Sequence, residues 1–298
     1  MRVNELDLIR TFLRVVERGT FSAVAREAGI GQPAVSKKIA ALESQLGVQL
    51  VRRSSNHQTL TEAGQELYGA MVPVIDELDA VRARVGTEQI VPSGIVRVMV
   101  PPFFGRRYVV PHLPTFFERY PGITIELRAS ERTPNLVEEG LDVSIQTGKL
   151  ENSAAIARKL ASTPLVTVAS AAYIAKNGRP SNPAELANHR CVIFAPFGAP
   201  IAWRFKTDAG LVRHFPSGNL RADDAEHIRS AVLSGIGIGF APGWLFSREI
   251  AEGVVTSLLR RFASPPLPVS AVYPAGRHPP VRVRLFIEFL AKVLKEHL

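Results

Sequence analysis

TFSAVAREAGIGQPAVSKKIAALESQLG, residues 20–47, contains two short helical patterns separated by one tight turn. Thr20 carries a hydroxyl suited to accept an orphan backbone N–H at a helix start. Phe21, Val24, Ala25 and Ala28 then fall on one stripe before Gly29 ends the pattern. A second helix is expected after Gly31, with Pro33 in its first turn, where a missing N–H costs little. Its inward stripe is Val35, Ile39, Leu42 and Leu46, and Gly47 closes it. Two short helices joined through Gly29-Ile30-Gly31 predict a helix-turn-helix.

The flanking segments fit that unit. Upstream, Leu6, Ile9, Phe12, Leu13 and Val16 predict a helix from about Leu6 to Glu17, stopped by Gly19. Downstream, Val48 to Leu60 reads as a small β-hairpin, a wing, with Arg52 and Arg53 before a polar tip at Ser54, Ser55 and Asn56. A long helix is expected from Thr61-Glu62 to about Gln89. Its apolar residues Leu67, Met71, Val74, Leu78, Val81 and Val85 are spaced 4-3-4-3-4, the seam of a coiled coil, which implies a partner helix. The competing reading is packing against its own domain. Pro73 should bend this helix or cost roughly 3 kcal/mol, with a kink expected near Gly69.

Bulk properties narrow the class. A chain of 298 residues exceeds one ordinary core. The single cysteine, Cys191, excludes an intramolecular disulfide and a thiolate zinc cluster, and suggests a reducing cytosol. Glu5 and Asp7 interrupt the place where the apolar run of a secretory signal would lie. Ser230 to Ser247 is uncharged but broken by Gly235, Gly237, Gly239, Pro242 and Gly243, so it reads as a glycine-rich turn region rather than a membrane span. The net charge is +9, yet residues 1–90 hold 11 Lys/Arg against 11 Asp/Glu, so residues 91–298 carry the whole excess (25 against 16). Bulk charge therefore does not mark a DNA-binding part. The C-terminal excess would favour an anionic ligand or simply solubility.

After a short linker, Val91-Pro92-Ser93-Gly94, strand-like and helical runs alternate: Ile95–Val100, Tyr108–Tyr120, Ile123–Leu127, Thr133–Glu139 and Asp142–Gln146. This pattern predicts βαβ units and a mainly parallel sheet. A second set follows at Leu165–Ala169, Cys191–Phe194 and Ile236–Phe240. The strand Val269–Tyr273 and a closing helix, Val281 to Leu298, are expected to return to the first sheet. Two crossings, near Ser162–Pro164 and at Pro265-Pro266-Leu267-Pro268, would then form a ligand-closing hinge between two lobes.

These residues resemble a known family. Phe21-Ser22-Ala23-Val24-Ala25, Gln32-Pro33-Ala34-Val35-Ser36, Ile39-Ala40-Ala41-Leu42-Glu43, Leu46-Gly47-Val48-Gln49-Leu50 and Leu60-Thr61-Glu62-Ala63-Gly64 are similar in order and spacing to LysR-type transcriptional regulators. Pro111, Phe116-Phe117, Tyr120-Pro121, Glu139-Gly140-Leu141-Asp142 and Gly235-Ile236-Gly237-Ile238-Gly239 extend the similarity over the rest of the chain. The resemblance implies an all-α winged helix-turn-helix domain (1–61), a linker and dimerisation helix (62–90) and an α/β two-lobed effector domain like a type 2 periplasmic binding protein (91–298). Lobe I would comprise 91–162 and 268–298, and lobe II 163–267. Gly31, Val51 and Asn56 depart from the family pattern.

On the recognition helix, Val35, Ile39 and Leu42 point inward and leave Pro33, Ser36 and Lys37 outward, with Gln32 and Lys38 at the margins. Gln pairs bidentately with adenine, Lys donates to guanine acceptors, and Ser reaches base edges or phosphate. Gln32, Ser36 and Lys37 are therefore expected to read bases, and Lys38 to meet phosphate. Arg52, Arg53 and His57 belong to the wing and would contact backbone or minor groove, although for Arg52 a solvated surface role competes. The effector is expected beyond the carboxyl ends of the strands: at Pro101, Pro102 and Phe103, at Ser130, Glu131, Arg132 and Thr133, and at Gln146, Thr147 and Gly148. By resemblance, Pro196, Phe197 and Trp203 would join from the second lobe. For Phe103, Phe197 and Trp203, ordinary core packing competes. Pro101-Pro102 lacks two N–H donors and the hydroxyl that many relatives present to a carboxylate, which counts against an anionic effector.

The expected partners are double-stranded DNA with an inverted repeat, a small-molecule effector and further copies of the chain, with RNA polymerase as a further candidate. No membrane, cofactor, metal or catalytic group is expected. Two rival classes remain. An enzyme would need a nucleophile elbow, a P-loop or metal-spaced histidines, none of which occurs. The Gly235–Gly239 run follows a helical stretch and leads into a strand, the reverse of a dinucleotide fingerprint, so Gly235 reads as a helix stop. A solute-binding protein without gene control would lack the helix-turn-helix.

Overall fold

The computed structural model describes residues 5–53, 58–85, 92–148, 150, 155–275 and 279–298. The chain separates into two compact units. One comprises Met1–Val96, Arg119–Thr124 and His278–Leu285; the other comprises Arg97–Glu118, Ile125–Arg277 and Phe286–Leu298.

The first unit opens with three helices, α1 (Glu5–Arg18), α2 (Phe21–Ala28) and α3 (Gln32–Leu46). As the sequence predicts, the Thr20 side chain accepts from the Ala23 N–H at the start of α2. Gly29 ends α2 at φ 64°, in the left-handed region that a residue with Cβ enters at a cost. Phe12, Val24, Val35, Ile39 and Leu42 meet in one core. Two apolar assignments differ from expectation. Leu8 and Val15 are the buried members of α1 beside Phe12 and Leu13, whereas Ala28 and Leu46, placed on inward stripes, are exposed. Both lie at the last turn of a short helix, where the chain leaves for a turn and packing no longer encloses the stripe.

The wing is β1 (Val51–Arg53) paired antiparallel with β2 (Gln58–Leu60); its expected tip, Ser54, Ser55 and Asn56, lies outside the described residues. A long helix, α4 (Glu62–Val85), follows with Pro73 inside it. The helix continues through Pro73. Its apolar residues divide between two uses. Leu67 and Met71 pack on the core of the helix-turn-helix together with Tyr68, Val72 and the buried Ile75. Val74 and Val81 are exposed, at 50% and 39%. Leu67 and Met71 of the expected seam therefore serve the chain's own domain.

In chain order the remaining elements are β3 (Gly94–Val100), α5 (Pro102–Phe104), α6 (Leu113–Arg119), β4 (Ile123–Ala129), β5 (Val143–Thr147), β6 (Ala155–Thr163), β7 (Leu165–Ser170), α7 (Ala171–Asn177) and β8 (Val192–Phe194). Then come β9 (Trp203–Thr207), β10 (Gly210–His214), β11 (Leu220–Ala222), α8 (Ala225–Leu233), β12 (Gly239–Pro242), α9 (Gly243–Ala251), β13 (Val255–Leu258), β14 (Leu267–Pro274) and α10 (Val281–His297).

The five-stranded sheet has the order β4-β3-β5-β14-β6, and a second sheet the order β12-β7-β13. β14 returns to the first sheet as expected, pairing antiparallel with both β5 and β6. The sheets are not mainly parallel: β3–β5 and β8–β11 are parallel, but β7 meets both of its neighbours antiparallel. Leaving one lobe through a strand and returning through its antiparallel neighbour produces this mixture. The pairing of Leu267 with Thr163 and Pro268 with Ser162 sets the two crossings side by side.

Three local expectations fail for identifiable reasons. The helix expected at Tyr108–Tyr120 is broken into a π turn (Gly105–Val109), a 3₁₀ turn (Val110–His112) and α6, because Pro111 and Pro114 lack the N–H donors a continuous helix needs. Thr133–Glu139 is a single turn, not a helix; the Leu141 N–H donates to the Leu136 carbonyl and the Gly140 N–H to Val137, a helix-terminating pair just after Pro134. The supposed turn region Ser230–Ser247 holds the end of α8, β12 and the start of α9, with Gly235 just past the helix as read. Apolar clusters fill the interior of this unit, one around Ala169, Tyr173, Cys191, Ile193, Trp203, Phe205 and Ile238, another around Met99, Leu136, Leu141 and Val272.

Candidate nucleic-acid interface and effector cavity

The surface of α3 is set by what lies beneath it. Val35, Ile39 and Leu42 are fully buried, so Gln32, Pro33 and Lys37 face outward as exposed side chains, with Ser36 half-buried. The Ser22 hydroxyl donates to the Gln32 amide oxygen at 3.1 Å, which steadies that side chain at the helix N-terminus and leaves its NH2 group for another acceptor. Gly31 caps α3 without a side-chain bond; Pro33 has no N–H and the Ala34 N–H donates to the Gly31 carbonyl at 3.0 Å, so the first turn offers an anion few free donors. Lys38 Nζ lies 2.8 Å from the Asp7 carboxylate and is engaged within the unit. Among the described residues no carboxylate pairs with Lys37.

The wing is fastened to α3 by the motif residues. The Glu43 carboxylate accepts from the N–H groups of Leu50 (2.8 Å) and Val51 (3.2 Å). The Thr61 hydroxyl donates to the Gln49 carbonyl at 2.6 Å and accepts from the Gly64 N–H at 3.0 Å. Gly64 has no alternative, because a Cβ there would stand 2.1 Å from the Leu50 carbonyl oxygen. Arg52 is exposed on β1; the Arg53 side chain and His57 lie outside the described residues. The expected seam residue Val85 is also undescribed beyond its backbone.

Charge pairs join α1 to the rest of this unit. Arg10 is held by Asp79 in a two-bond pair, one bond at 3.0 Å. Arg282 pairs with Asp76 and donates through Nε to the Ile95 carbonyl at 2.7 Å. Both partners of the Arg282–Asp76 pair are nearly enclosed. Burial pushes the Asp76 carboxyl up, against the pull of Arg282.

In the second unit a cavity of about 360 Å³ lies where the ends of β3 and β5 face β7, β9 and β12. Of the expected effector residues, Pro101, Glu131, Thr147, Gly148 and Trp203 form its wall. Phe103 sits behind it, stacked on the wall residue Trp244 at 5.4 Å. Arg132 is exposed and bound to Glu139. Ser130 spends its N–H on the Val100 carbonyl and accepts from the Arg132 N–H at its hydroxyl. Pro102, Thr133 and Gln146 are not among the described wall residues, and the Phe197 side chain lies outside the described residues. Sequence reading missed Phe194, Arg204, Ile228, Phe240, Trp244 and Leu245, which β8, β9 (paired antiparallel with β10), α8, β12 and α9 bring in. The cue was available: Trp244-Leu245-Phe246 is an aromatic run directly after Gly243, yet the surrounding glycines masked it as a turn.

Trp203 is 2% exposed and stacks on Phe240 at 5.2 Å and 20°. Trp244 keeps an enclosed indole N–H with no hydrogen-bond partner among the described residues. The Glu131 carboxyl is pushed up to about 7, chiefly by burial and further by Asp224 and Asp223 nearby. Among the described residues no group of three His, Cys, Asp or Glu could hold a metal, and no helix is long and apolar enough to cross a membrane.

The model of bacterial regulatory helix-turn-helix proteins of the lysR family matches residues 6–65, and the model of the LysR substrate-binding domain matches residues 90–295. The chain belongs to the LysR family. It is similar to the HTH-type transcriptional regulator CrgA of Neisseria meningitidis (serogroup C, strain 8013), 32% identical over all of this chain and 99% of the relative. It also resembles PtxR of Pseudomonas aeruginosa, 31% identical over all of this chain and 95% of that regulator. The solved structure of CrgA from Neisseria meningitidis superposes with a TM-score of 0.64, at 31% identity over 97% of this chain and 98% of that one. This LysR-type chain is a DNA-binding transcriptional regulator with an effector-binding domain. Its winged helix-turn-helix and two-lobed α/β effector fold agree with the sequence reading.

Proposed function

We propose that this regulator binds an inverted repeat near its own promoter as a dimer, and that an effector in the 360 Å³ cavity resets its grip on DNA. Residues 1–61 form the DNA head, 62–90 the linker and 91–298 the effector domain, its lobes meeting across the crossings at 162–163 and 267–268. Gln32, Ser36 and Lys37 read base edges, with Pro33 against the groove wall. Arg52, Arg53 and His57 hold the backbone at the wing. The observation that carries this reading is the outward display of Gln32, Pro33 and Lys37 over a sealed core of Val35, Ile39 and Leu42. Lys38 contributes less than its sequence position suggests, because binding phosphate would require it to leave Asp7.

One head meets few phosphates, so tight specific binding needs two. Val74, Leu78 and Val81 supply the dimer seam, since Leu67 and Met71 are already committed to the head. An effector acts only through different affinities for two arrangements of the lobes, which then shift the heads. The chain works in the cytoplasm without catalysing a reaction, and RNA polymerase is its onward partner when it activates. Every relative described above is a transcriptional regulator, which favours this reading over an enzyme.

The test is a mobility-shift titration of the full chain on its own upstream DNA, competed with random duplex. The proposal expects retention of the upstream fragment by about 10³-fold or more over random DNA, and a change in that ratio with cell metabolites. Equal retention of both DNAs, with and without metabolites, contradicts it.

A further inference from the structure

We infer that the cavity of the effector domain selects an amine: a largely apolar, aromatic-sized molecule whose protonated nitrogen sits against Glu131. This rests on reading the cavity as the effector site and adds the chemistry of its occupant.

The first observation is that the strand-end backbone N–H groups that could hold an anion are missing or spent, which leaves the Thr147 hydroxyl and the Trp244 indole N–H as neutral donors of the described wall. At the end of β3, Pro101 and Pro102 have no N–H to offer. At the end of β4, the Ser130 N–H is bound to the Val100 carbonyl; the Ser130 hydroxyl oxygen accepts from the Arg132 N–H, and Ser130 is not among the described wall residues. Past the end of β5, the Gly148 N–H is bound to the Pro268 carbonyl. Arg132, the nearest cation by sequence, is tied to Glu139 on the exposed side. Among the described wall residues only Arg204 carries positive charge, and it is an exposed residue of β9, which pairs with β10.

The second observation is a carboxyl that lacks a counter-charge. Glu131 forms part of the wall while Asp223 and Asp224 lie close enough to act on it with the same sign. Asp224 is already committed as the cap of α8, accepting from the Glu226 and His227 N–H groups. Burial and these two neighbours both oppose ionisation of Glu131, and a ligand cation offsets both at once. No arginine or lysine supplies that charge among the described residues around it.

The rest of the wall fixes the body of the ligand. Trp203, Phe240, Trp244, Ile228 and Leu245 offer aromatic and aliphatic faces, and aromatic faces accept a cation as readily as an apolar ring. A volume of about 360 Å³ suits a molecule of one or two rings.

The chain's two tryptophans both belong to this wall, so intrinsic fluorescence reports directly on occupancy. The experiment titrates the full-length protein at mildly alkaline pH with matched triplets of probes: phenethylamine, phenethyl alcohol and phenylpropionate, and the corresponding indole-ethyl series. Glu131→Gln and Arg204→Ala are titrated in parallel, with thermal unfolding confirming that each is folded. The inference expects the amine of each triplet to bind at least about tenfold tighter than its carboxylate. It expects Glu131→Gln to erase that preference and Arg204→Ala to leave it intact. Tighter binding of the carboxylates, or a preference lost in Arg204→Ala and kept in Glu131→Gln, overturns the amine while leaving the cavity as the effector site. No fluorescence change from any probe overturns both readings.

Discussion

Replacing Glu131 with glutamine should stabilise the ligand-free protein, and the gain should depend on pH. A glutamate pKa raised from 4.5 to about 7 means the native state holds a proton that the unfolded chain releases between those values. Native stability is therefore undiminished below about pH 4.5, falls as pH rises through the window, and carries the full cost above about pH 7. At about 1.4 kcal/mol per tenfold change, the full cost is ~3 kcal/mol, and partial exposure of the side chain reduces it to about 2. Glutamine keeps the shape without the charge and removes the cost. For a domain of this size about 2 kcal/mol corresponds to a rise of roughly 4–8 °C in the unfolding temperature of the effector domain. Thermal unfolding followed by circular dichroism near pH 8 should show this rise, and near pH 5 most of it should vanish. An equal gain at both pH values would mean the effect is packing rather than ionisation. A loss at pH 8 would mean the carboxylate is held by favourable bonds, and the reasoning would be refuted.

Other substitutions address other parts of the account. Gly64→Ala should destabilise the DNA head by about 3 kcal/mol or more, since its methyl group meets the Leu50 carbonyl at 2.1 Å; calorimetry of the first unfolding transition measures this. Arg282→Ala should cost about 3–5 kcal/mol by leaving Asp76 enclosed without its partner, and adding Asp76→Asn should recover part of that loss in the same scan. Val74→Glu with Val81→Glu should convert the dimer to folded monomers in sedimentation equilibrium, because both side chains stand outside the core that Leu67 and Met71 enter. Unfolding, or an unchanged dimer, would count against a dimer seam at Val74 and Val81.

The elements nearest the turn at Gly29-Ile30-Gly31 were legible because each local signal agrees with the next: Thr20 caps, Gly29 stops, Pro33 restarts and the 3.6-residue stripe buries Val35, Ile39 and Leu42. The seam of α4 misled for a physical reason. An apolar stripe that packs on the chain's own domain has the same spacing as one that meets a partner helix, and Leu67 and Met71 enter the head's own core. In the effector domain, strand ends could be located, so Pro101, Glu131 and Thr147 were found. Of the facing wall only Trp203 was found, through the family resemblance, because Ile228, Trp244 and Leu245 arrive on helices whose approach depends on tertiary packing. Arg132 shows the same limit at one residue's scale: adjacent to Glu131 in sequence, it turns outward to Glu139.

The central claim is that the outer face of α3 reads bases. Selection of binding sites from randomised duplex DNA by the full chain and by Gln32→Ala tests it most directly. The account predicts that the variant still dimerises and still selects an inverted repeat, but loses preference at one matching position in each half-site, a discrimination of about 1–3 kcal/mol. An unaltered preference at every position, or an equal loss of affinity for selected and random DNA, would contradict it.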